Sequence, residues 1–406
     1  MILKNLGMAL TSLRHAKMRS FLTMLGIIIG VSSVVTVIAI GGGVKNEVSN
    51  QVSGFGANLI QVNPGKSVTT DEEGNSTGFN FAASLGASTL TEADVAKVKQ
   101  IPGVTAAAPM MIISGVPTAG NQKAENAFVI ATQPETITIV NRKVGEGRFL
   151  QDGDTKTVTL GSNIAKQLFP DGKPLGKTVL IRNTEFIVVG VMEPEKEGGL
   201  NFGPSFGDAI YLPFETGKAL NGGVANIMEI DATAATPQAV GGVVSAIRQD
   251  LKTLHGGQED FTVLTADDQL KIFESILNIL TSFVAAIAAI SLFVGGIGIM
   301  NIMLVSVTER TREIGVRKAI GASNRQILGQ FLIEAVVLSL FGGLLGVLAS
   351  FGLSIIVKAT TDITPIFNAN AFVIAVSVST VVGVVFGMAP AIKAARKNPI
   401  EALRYE

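Results

Sequence analysis

The twenty residues Phe21–Ile40, FLTMLGIIIGVSSVVTVIAI, carry no charge. At about 1.5 Å of rise per residue they reach about 30 Å, one hydrocarbon thickness, and so read as a membrane-spanning helix. A cleaved leader is the rival reading. It fails because the apolar run outlasts the roughly 7–15 residues of a leader's hydrophobic region, and because the chain begins at Met1 with that stretch still in place. Three later stretches read the same way: 283–307, uncharged; 331–357, with Glu334 as its one charge; and 372–392, uncharged. The apolar residues, 47% of the chain against 16% charged, are therefore clumped rather than spread. That excludes a purely soluble enzyme and a disordered chain.

Basic residues near the span ends set the expected orientation. Lys4, Arg14, Lys17 and Arg19 precede the first span. Arg310, Arg312, Arg317, Lys318 and Arg325 stand between the second and third, and Lys393, Arg396, Lys397 and Arg404 follow the fourth. The loop at 358–371 carries only Lys358 and Asp362. Both termini and the 308–330 loop are expected in the cytoplasm, and 41–282 outside. That large segment holds 18 basic and 26 acidic residues, a net charge of −8. Residues 1–20 are expected to lie along the inner leaflet, with Leu3, Leu6, Leu10 and Leu13 on one helix face; a plain extension of the first span is the alternative. Glu334, near the start of its span, is expected to snorkel or to pair with a nearby arginine, with a proton relay as the less favoured reading.

The segment 41–282 alternates strand and helix patterns. Strands are expected at 58–62, 104–114, 127–132, 157–160, 178–181, 185–192, 209–212, 227–231 and 261–264. Helices are expected at 162–168, at 237–254, and from a Thr91/Asp94 capping box to Pro102-Gly103. Gly65–Ser88 is polar and Gly-rich and is expected to be mobile. Asp267 is expected to cap a helix that runs straight into the second span. Two α+β lobes are expected, the first interrupted by the second. With few flexible residues at either end, the domain stands on helical stalks.

No credible catalytic, cofactor or metal site emerges. The net charge of zero, 32 basic against 32 acidic residues, leaves no nucleic-acid footprint. The chain contains no cysteine and only two histidines, His15 and His255, the latter in a Gly-rich polar turn. Gly172–Thr178 imitates a phosphate loop, but three residues rather than four separate its glycines, Asp171 stands where glycine is needed, and the motif precedes a strand instead of a helix. Lys177 is thus expected in a turn. Asp71-Glu72-Glu73 lacks calcium-loop spacing and reads as a solvated loop.

Glu309–Gln330, ERTREIGVRKAIGASNRQILGQ, is the most informative stretch between spans. Glu309/Arg312 and Glu313/Arg317 can pair on a helix surface. Gly321 is placed to end that helix in a left-handed conformation, and Ser323 with Gln326 forms a capping box for the next. A helix, a tight corner and a second helix result. Physics alone weighs two readings equally: a charged interfacial elbow, and a lever that docks on a cytoplasmic partner. On the second reading Arg317 and Lys318 are the exposed cations that meet the partner. Within the spans, Gly295, Gly296 and Gly298, and Gly342, Gly343 and Gly346, allow close helix approach or, alternatively, only bending.

The stretch ERTREIGVRKAIGAS resembles the hallmark of the MacB/FtsX/LolC group of ABC transporter permeases. LRHAKMRSFLTMLGIIIGVSSVV (13–35), GRFL (147–150), LGSNIAKQLFP (160–170), LGKTVLIRNTEFIVVGVM (175–192) and APAIKAARKNPIEALRYE (389–406) resemble the same group, MacB most of all. The resemblance implies an α-helical membrane protein of the inner or plasma membrane, with four transmembrane helices and a large extracytoplasmic α+β domain. It implies a dimer of permease chains, homo or hetero, within the bilayer, that binds no nucleic acid. An ATPase domain fused to the chain is expected to be lacking, so ATP and Mg would act in a separate ATPase subunit and this chain would be non-catalytic. Glu309, Arg310, Arg312, Glu313, Gly315, Arg317, Lys318, Gly321 and Ala322 would form the ATPase-coupling elbow. The implied function is mechanotransmission in efflux of a hydrophobic compound, peptide or antibiotic, with an extracytoplasmic adaptor. The alternatives are an FtsX-like regulator of a cell-wall hydrolase and a LolC-like lipoprotein-releasing permease.

Overall fold

The computed structural model describes residues 17–66, 68–70, 76–79, 88–194, 205–361 and 363–403. The expected amphipathic helix at 2–13 and the acidic triplet 71–73 lie outside the described residues. Two compact units emerge, Met1–Val44 with Ile276–Glu406, and Lys45–Ser275.

Helix α1 (Lys17–Phe55) runs unbroken for 39 residues through the first apolar stretch and beyond it. Strand β1 (Leu59–Pro64) follows, burying Ile60 and Val62 on one face. Gly65–Ser88, expected to be mobile, contains a hairpin of β2 (Val68–Thr70) and β3 (Ser76–Phe79). Val68, Thr69, Thr70 and Thr77 are β-branched and favour extended backbone, a local preference that the segment's polar composition hides. Helix α2 (Glu92–Lys99) begins at the capping box, where the Thr91 backbone N–H donates to Asp94 Oδ2 over 2.7 Å.

The next elements are β4 (Val104–Ile113), β5 (Thr118–Ala119), β6 (Gln122–Lys123), β7 (Phe128–Thr132), α3 (Thr136–Ile139), β8 (Val144–Gly147), β9 (Thr157–Leu160) and α4 (Ser162–Leu168). Strands β10 (Thr178–Ile181) and β11 (Thr184–Met192) bury every second residue, the period of a sheet with one covered face. Arg182 and Asn183 join them with φ of 47° and 60°. Positive φ at both positions is the turn that suits strand twist. Arg182 is held there by donating from Nε to Ser114 O (2.6 Å) and from Nη1 to Leu220 O (3.0 Å). Then come β12 (Ala209–Pro213), α5 (Phe214–Leu220), β13 (Glu229–Ala234), α6 (Val240–Leu254) and β14 (Phe261–Thr265).

Among the described residues these strands form a 12-stranded sheet in the order β14-β1-β13-β4-β7-β12-β9-β11-β10-β5-β6, with β8 also on β11. Strand β4 pairs β13 from Val104 to Met110 and β7 from Met111 to Ile113. The two expected lobes are therefore ends of one sheet that share a strand. One apolar cluster runs through both, from Ile60, Val98 and Ile247 to Leu160, Phe186 and Ile210. A ten-residue strand long enough to serve two neighbours in turn makes this possible.

Helix α7 (Ala266–Glu309) is continuous for 44 residues. Its cap is Thr265, not Asp267. The Asp268 N–H donates to Thr265 Oγ1 (3.2 Å), and Thr265 N–H returns a bond to Asp268 Oδ2 (3.0 Å). A Thr–x–x–Asp box occupies both partners at once, which a lone Asp267 cannot do. Helices α8 (Thr311–Ala319), α9 (Asn324–Thr360), α10 (Ala369–Ala395) and α11 (Pro399–Leu403) complete the chain. Windows within α1, α7, α9 and α10 are long and apolar enough to cross a membrane.

Small residues bring these helices together. A methyl group on Gly26 would lie 2.7 Å from Gly295 Cα, so α1 and α7 cross backbone to backbone. Gly342 meets Ile27, and Gly346 meets Ile28 O and Val31, each at 3.0–3.1 Å from such a methyl. Gly296 lies under the Phe386 ring, and Gly298 is partly buried. Between α9 and α10, Gly343 faces Ser379, Ser339 faces Gly383 and Ala335 faces Gly387.

Candidate coupling element

Helix α7 ends at Glu309, and the chain bends at Arg310, whose φ and ψ are −100° and 18°. Helix α8 follows at once. Gly321, at φ 101°, turns the corner in a conformation that side chains rarely tolerate. Ser323 Oγ then accepts from Gln326 N–H (3.3 Å) while Gln326 Oε1 accepts from Ser323 N–H (2.8 Å), closing the capping box of α9.

The Arg310 guanidinium joins three helices. Its Nε donates to Glu313 Oε2 on α8 (2.9 Å), its Nη1 donates to Glu334 Oε2 on α9 (3.2 Å), and it lies 5.7 Å from the centre of the Phe331 ring. Glu334 is 6% exposed. The pairing expected for it is present, but its position differs from expectation. Because α9 begins at Asn324 rather than Phe331, Glu334 sits about three turns into the helix, not one. Arg317 donates from Nη2 to Glu313 Oε1 and from Nη1 to Gln330 Oε1, both 2.5 Å. The Arg310 hydrogen bond first, then the two arginine charges, hold the Glu313 carboxyl below the usual range.

Arg317 and Lys318 were the cations expected to meet a partner; the structure turns both inward. Lys318 Nζ donates to Ala395 O (2.6 Å) and Lys397 O (2.8 Å), the carbonyls left open where α10 ends. Gly315 is buried against α11: a methyl there would lie 2.8 Å from Ala402 Cβ. Ile314, Ile327 and Phe331 close the apolar side. Glu309, Arg312, Val316, Ile320, Gly321 and Arg325 are exposed, Ile320 by 81%, and Ala322 is partly buried. The outward face is thus apolar at Val316 and Ile320 with Arg312 beside them. Sequence reasoning missed Gln330, the carbonyls of Ala395 and Lys397, and Ala402. A glycine inside a charged helical run was the one available signal that something packs closely at Gly315.

Two polar clusters lie in the other unit. His255 stands in the expected turn, just past the end of α6, with its side chain only 9% exposed. Its Nε2 lies 3.1 Å from Asp94 Oδ2, and its Nδ1 bonds the Asp260 carboxylate. Burial pulls its pKa down, but the bonds and charges of Asp260 and Asp94 outweigh this and hold it above the ordinary histidine value. On the sheet, burial raises Glu229 well above the ordinary carboxylate range, helped by the neighbouring Asp231, which accepts from Gln61 Nε2 (3.1 Å). Asp171–Lys177 is a turn into β10, with the Lys177 ammonium on the Asp171 carboxylate.

Four apolar helices, a large α+β domain inserted after the first, and a clamped helix-corner-helix between the second and third define a polytopic membrane protein. Residues 20–250 match the MacB-like periplasmic core domain, and 285–399 match the FtsX-like permease C-terminal domain. The chain belongs to the MacB-like family of ABC transporter permeases, and the inserted domain is extracytoplasmic. It is 37% identical to the macrolide export ATP-binding/permease protein MacB of Shewanella oneidensis, over 99% of this chain and 60% of that protein. For the proteins of the same description from Wolinella succinogenes and Neisseria meningitidis the identity is also 37%, over 98% and 95% of this chain and 60% and 58% of theirs. The chain thus spans about three fifths of the length of these relatives. Among solved structures it is similar to the periplasmic region of MacB from Actinobacillus actinomycetemcomitans, at TM-score 0.45 and 20% identity over 56% of this chain and 97% of that one. It is also similar to the extracellular domain of the Gram-positive transporter YknZ, at TM-score 0.40 and 19% identity over 51% of this chain and 100% of that one.

Proposed function

We propose that the chain is a permease that carries motion from a cytoplasmic ATPase subunit to its extracytoplasmic domain, and so drives efflux of a hydrophobic compound, peptide or antibiotic. The observation that carries this reading is helical continuity. Helices α1 and α7, 39 and 44 residues long, each run without interruption from one unit into the other. Just past the apolar windows Lys45 pairs with Glu274 over 2.5 Å and braces the two helices against each other. A helix passes axial displacement along its hydrogen bonds, where a loop absorbs it.

In this reading Arg312, Val316 and Ile320 meet the ATPase, with both termini and 308–330 in the cytoplasm. ATP and Mg act in the partner. The name shared by the relatives, ATP-binding/permease, supports such a partner. A second permease chain and an extracytoplasmic adaptor complete the assembly.

The test uses the chain in lipid nanodiscs with its ATPase and spin labels in the extracytoplasmic domain. Addition of ATP should shift the label distances. Leu280→Pro, which breaks α7 above the coupling element, should abolish the shift while ATPase binding persists. A shift that survives the break, or a wild-type chain that recruits no ATPase, rejects the reading.

A further inference from the structure

Coupling requires that α8 does not swivel on its own. The chain could pivot at Arg310, where α7 gives way to α8 through a single non-helical residue. The side chain of that same residue reaches across to Glu334. We infer that Glu334, acting through Arg310, is the positioning residue that fastens α8 to α9, so that force on the outward face of α8 moves the membrane helices instead of being lost at the bend.

Glu334 is the only charged residue between Phe331 and Val357. A carboxylate 6% exposed in such surroundings is stable only with a partner, and its partner is fixed at the joint. Tilting α8 away from α9 must either separate that pair in an apolar setting or drag Glu334 along. The Phe331 ring under the guanidinium and the Arg310–Glu313 bond remove the remaining freedom of the arginine. The second link, Arg317 to Gln330, is flanked by more exposed groups and involves a neutral amide, so it is the weaker of the two. Stability alone gives no reason for the charge, because an apolar side chain of similar volume packs such a site as well or better. Orientation does, since a guanidinium–carboxylate pair fixes direction as well as distance.

The functional clause rests on the proposed coupling to an ATPase; the fastening does not, and the experiment separates them. Hydrogen exchange is followed on the whole chain in nanodiscs without any partner. Glu334→Leu and the near-isosteric Glu334→Gln should raise exchange of the α8 amides, Ile314 to Ala319, at least tenfold. Exchange in α9 and α10 and the thermal unfolding midpoint should stay at wild-type values, and Glu334→Asp should restore most of the protection. Unchanged α8 exchange in Glu334→Gln overturns the inference. So does loosening spread evenly over α8, α9 and α10, which marks Glu334 as ordinary packing. In a second arm with the ATPase, Glu334→Gln should recruit it normally yet lose at least half of the ATP-driven distance change; a full change alongside normal recruitment overturns the positioning role. A wild-type chain that recruits no ATPase defeats the proposed function and leaves the exchange result to decide the fastening.

Discussion

The two units solve the packing problem with different residues. In the extracytoplasmic unit the fully buried side chains are large: Phe186, Ile60, Leu160, Ile164, Ile210 and Leu212. In the helical unit the decisive contacts are made by Gly26, Gly295, Gly343, Gly383 and Gly387, with Ser339 and Ser379. Solvent explains the contrast. Water drives large apolar groups together, whereas lipid is as apolar as leucine and offers no such drive. Membrane helices gain from close approach and hence from small residues. The same rule accounts for polar groups. Among the described residues the helical unit confines its one buried carboxylate to the joint at Arg310, and the sheet unit tolerates His255 and Glu229 within reach of hydrogen-bonding partners.

Deleting a large side chain from the water-driven core sharpens this contrast most. Phe186→Ala should destabilise the extracytoplasmic unit by about 3–5 kcal/mol, read as faster hydrogen exchange in β9–β12. The equally buried Ile27→Ala in the helical unit should have a smaller effect on α1. Equal losses would break the comparison. Enlarging a small contact tests the other half. Gly343→Leu, which must displace Ser379, should lower the stability of the α9–α10 pair by about 1–3 kcal/mol in thermal melts. Gly346→Leu should act in the same direction through Val31, and unchanged melting and assembly would mean that these glycines only permit bending.

The half-buried His255 gives the extracytoplasmic unit a pH signature of its own. Its folded-state pKa is raised above the unfolded value, so its contribution is fully present below about 6.5 and fades as pH rises through the folded value. Stability of the extracytoplasmic unit should fall over that interval, and His255→Gln should remove the slope there while the helical unit is unaffected. A slope that survives in His255→Gln would assign it to another group. The smallest effect is expected at Gly242, exposed in the first turn of α6, where an added methyl would meet nothing within 4 Å beyond the helix's own backbone. Gly242→Ala should stabilise by about 0.5 kcal/mol in denaturant unfolding, the opposite sign to Gly343→Leu.

Much of this was legible because it is local. Four apolar runs, three of them uncharged, marked the spans, since a bilayer demands about twenty apolar residues in succession. Period-two burial marked β10 and β11, Thr91/Asp94 and Ser323/Gln326 marked helix starts, and Gly321 marked the corner. The coupling element was legible as a helix-corner-helix. Its inner side was not, because Lys318 and the Ala395 carbonyl are 77 residues apart, and no short-range pattern reports such a bond. Arg317 and Lys318 looked like surface cations on charge alone. Only the positions of α9 and α10 showed that they are spent within the chain.

By itself, then, the sequence determined which segments are apolar enough to span, where α2 and α9 start and where α8 turns its corner, and which strands alternate. Each follows from the chemistry of neighbours along the chain. The tertiary structure alone decided that β4 serves both ends of one sheet, that Arg310 meets Glu334, and that His255 lies between Asp94 and Asp260. Those are meetings of distant residues, set by packing and by the need to give every buried charge a partner.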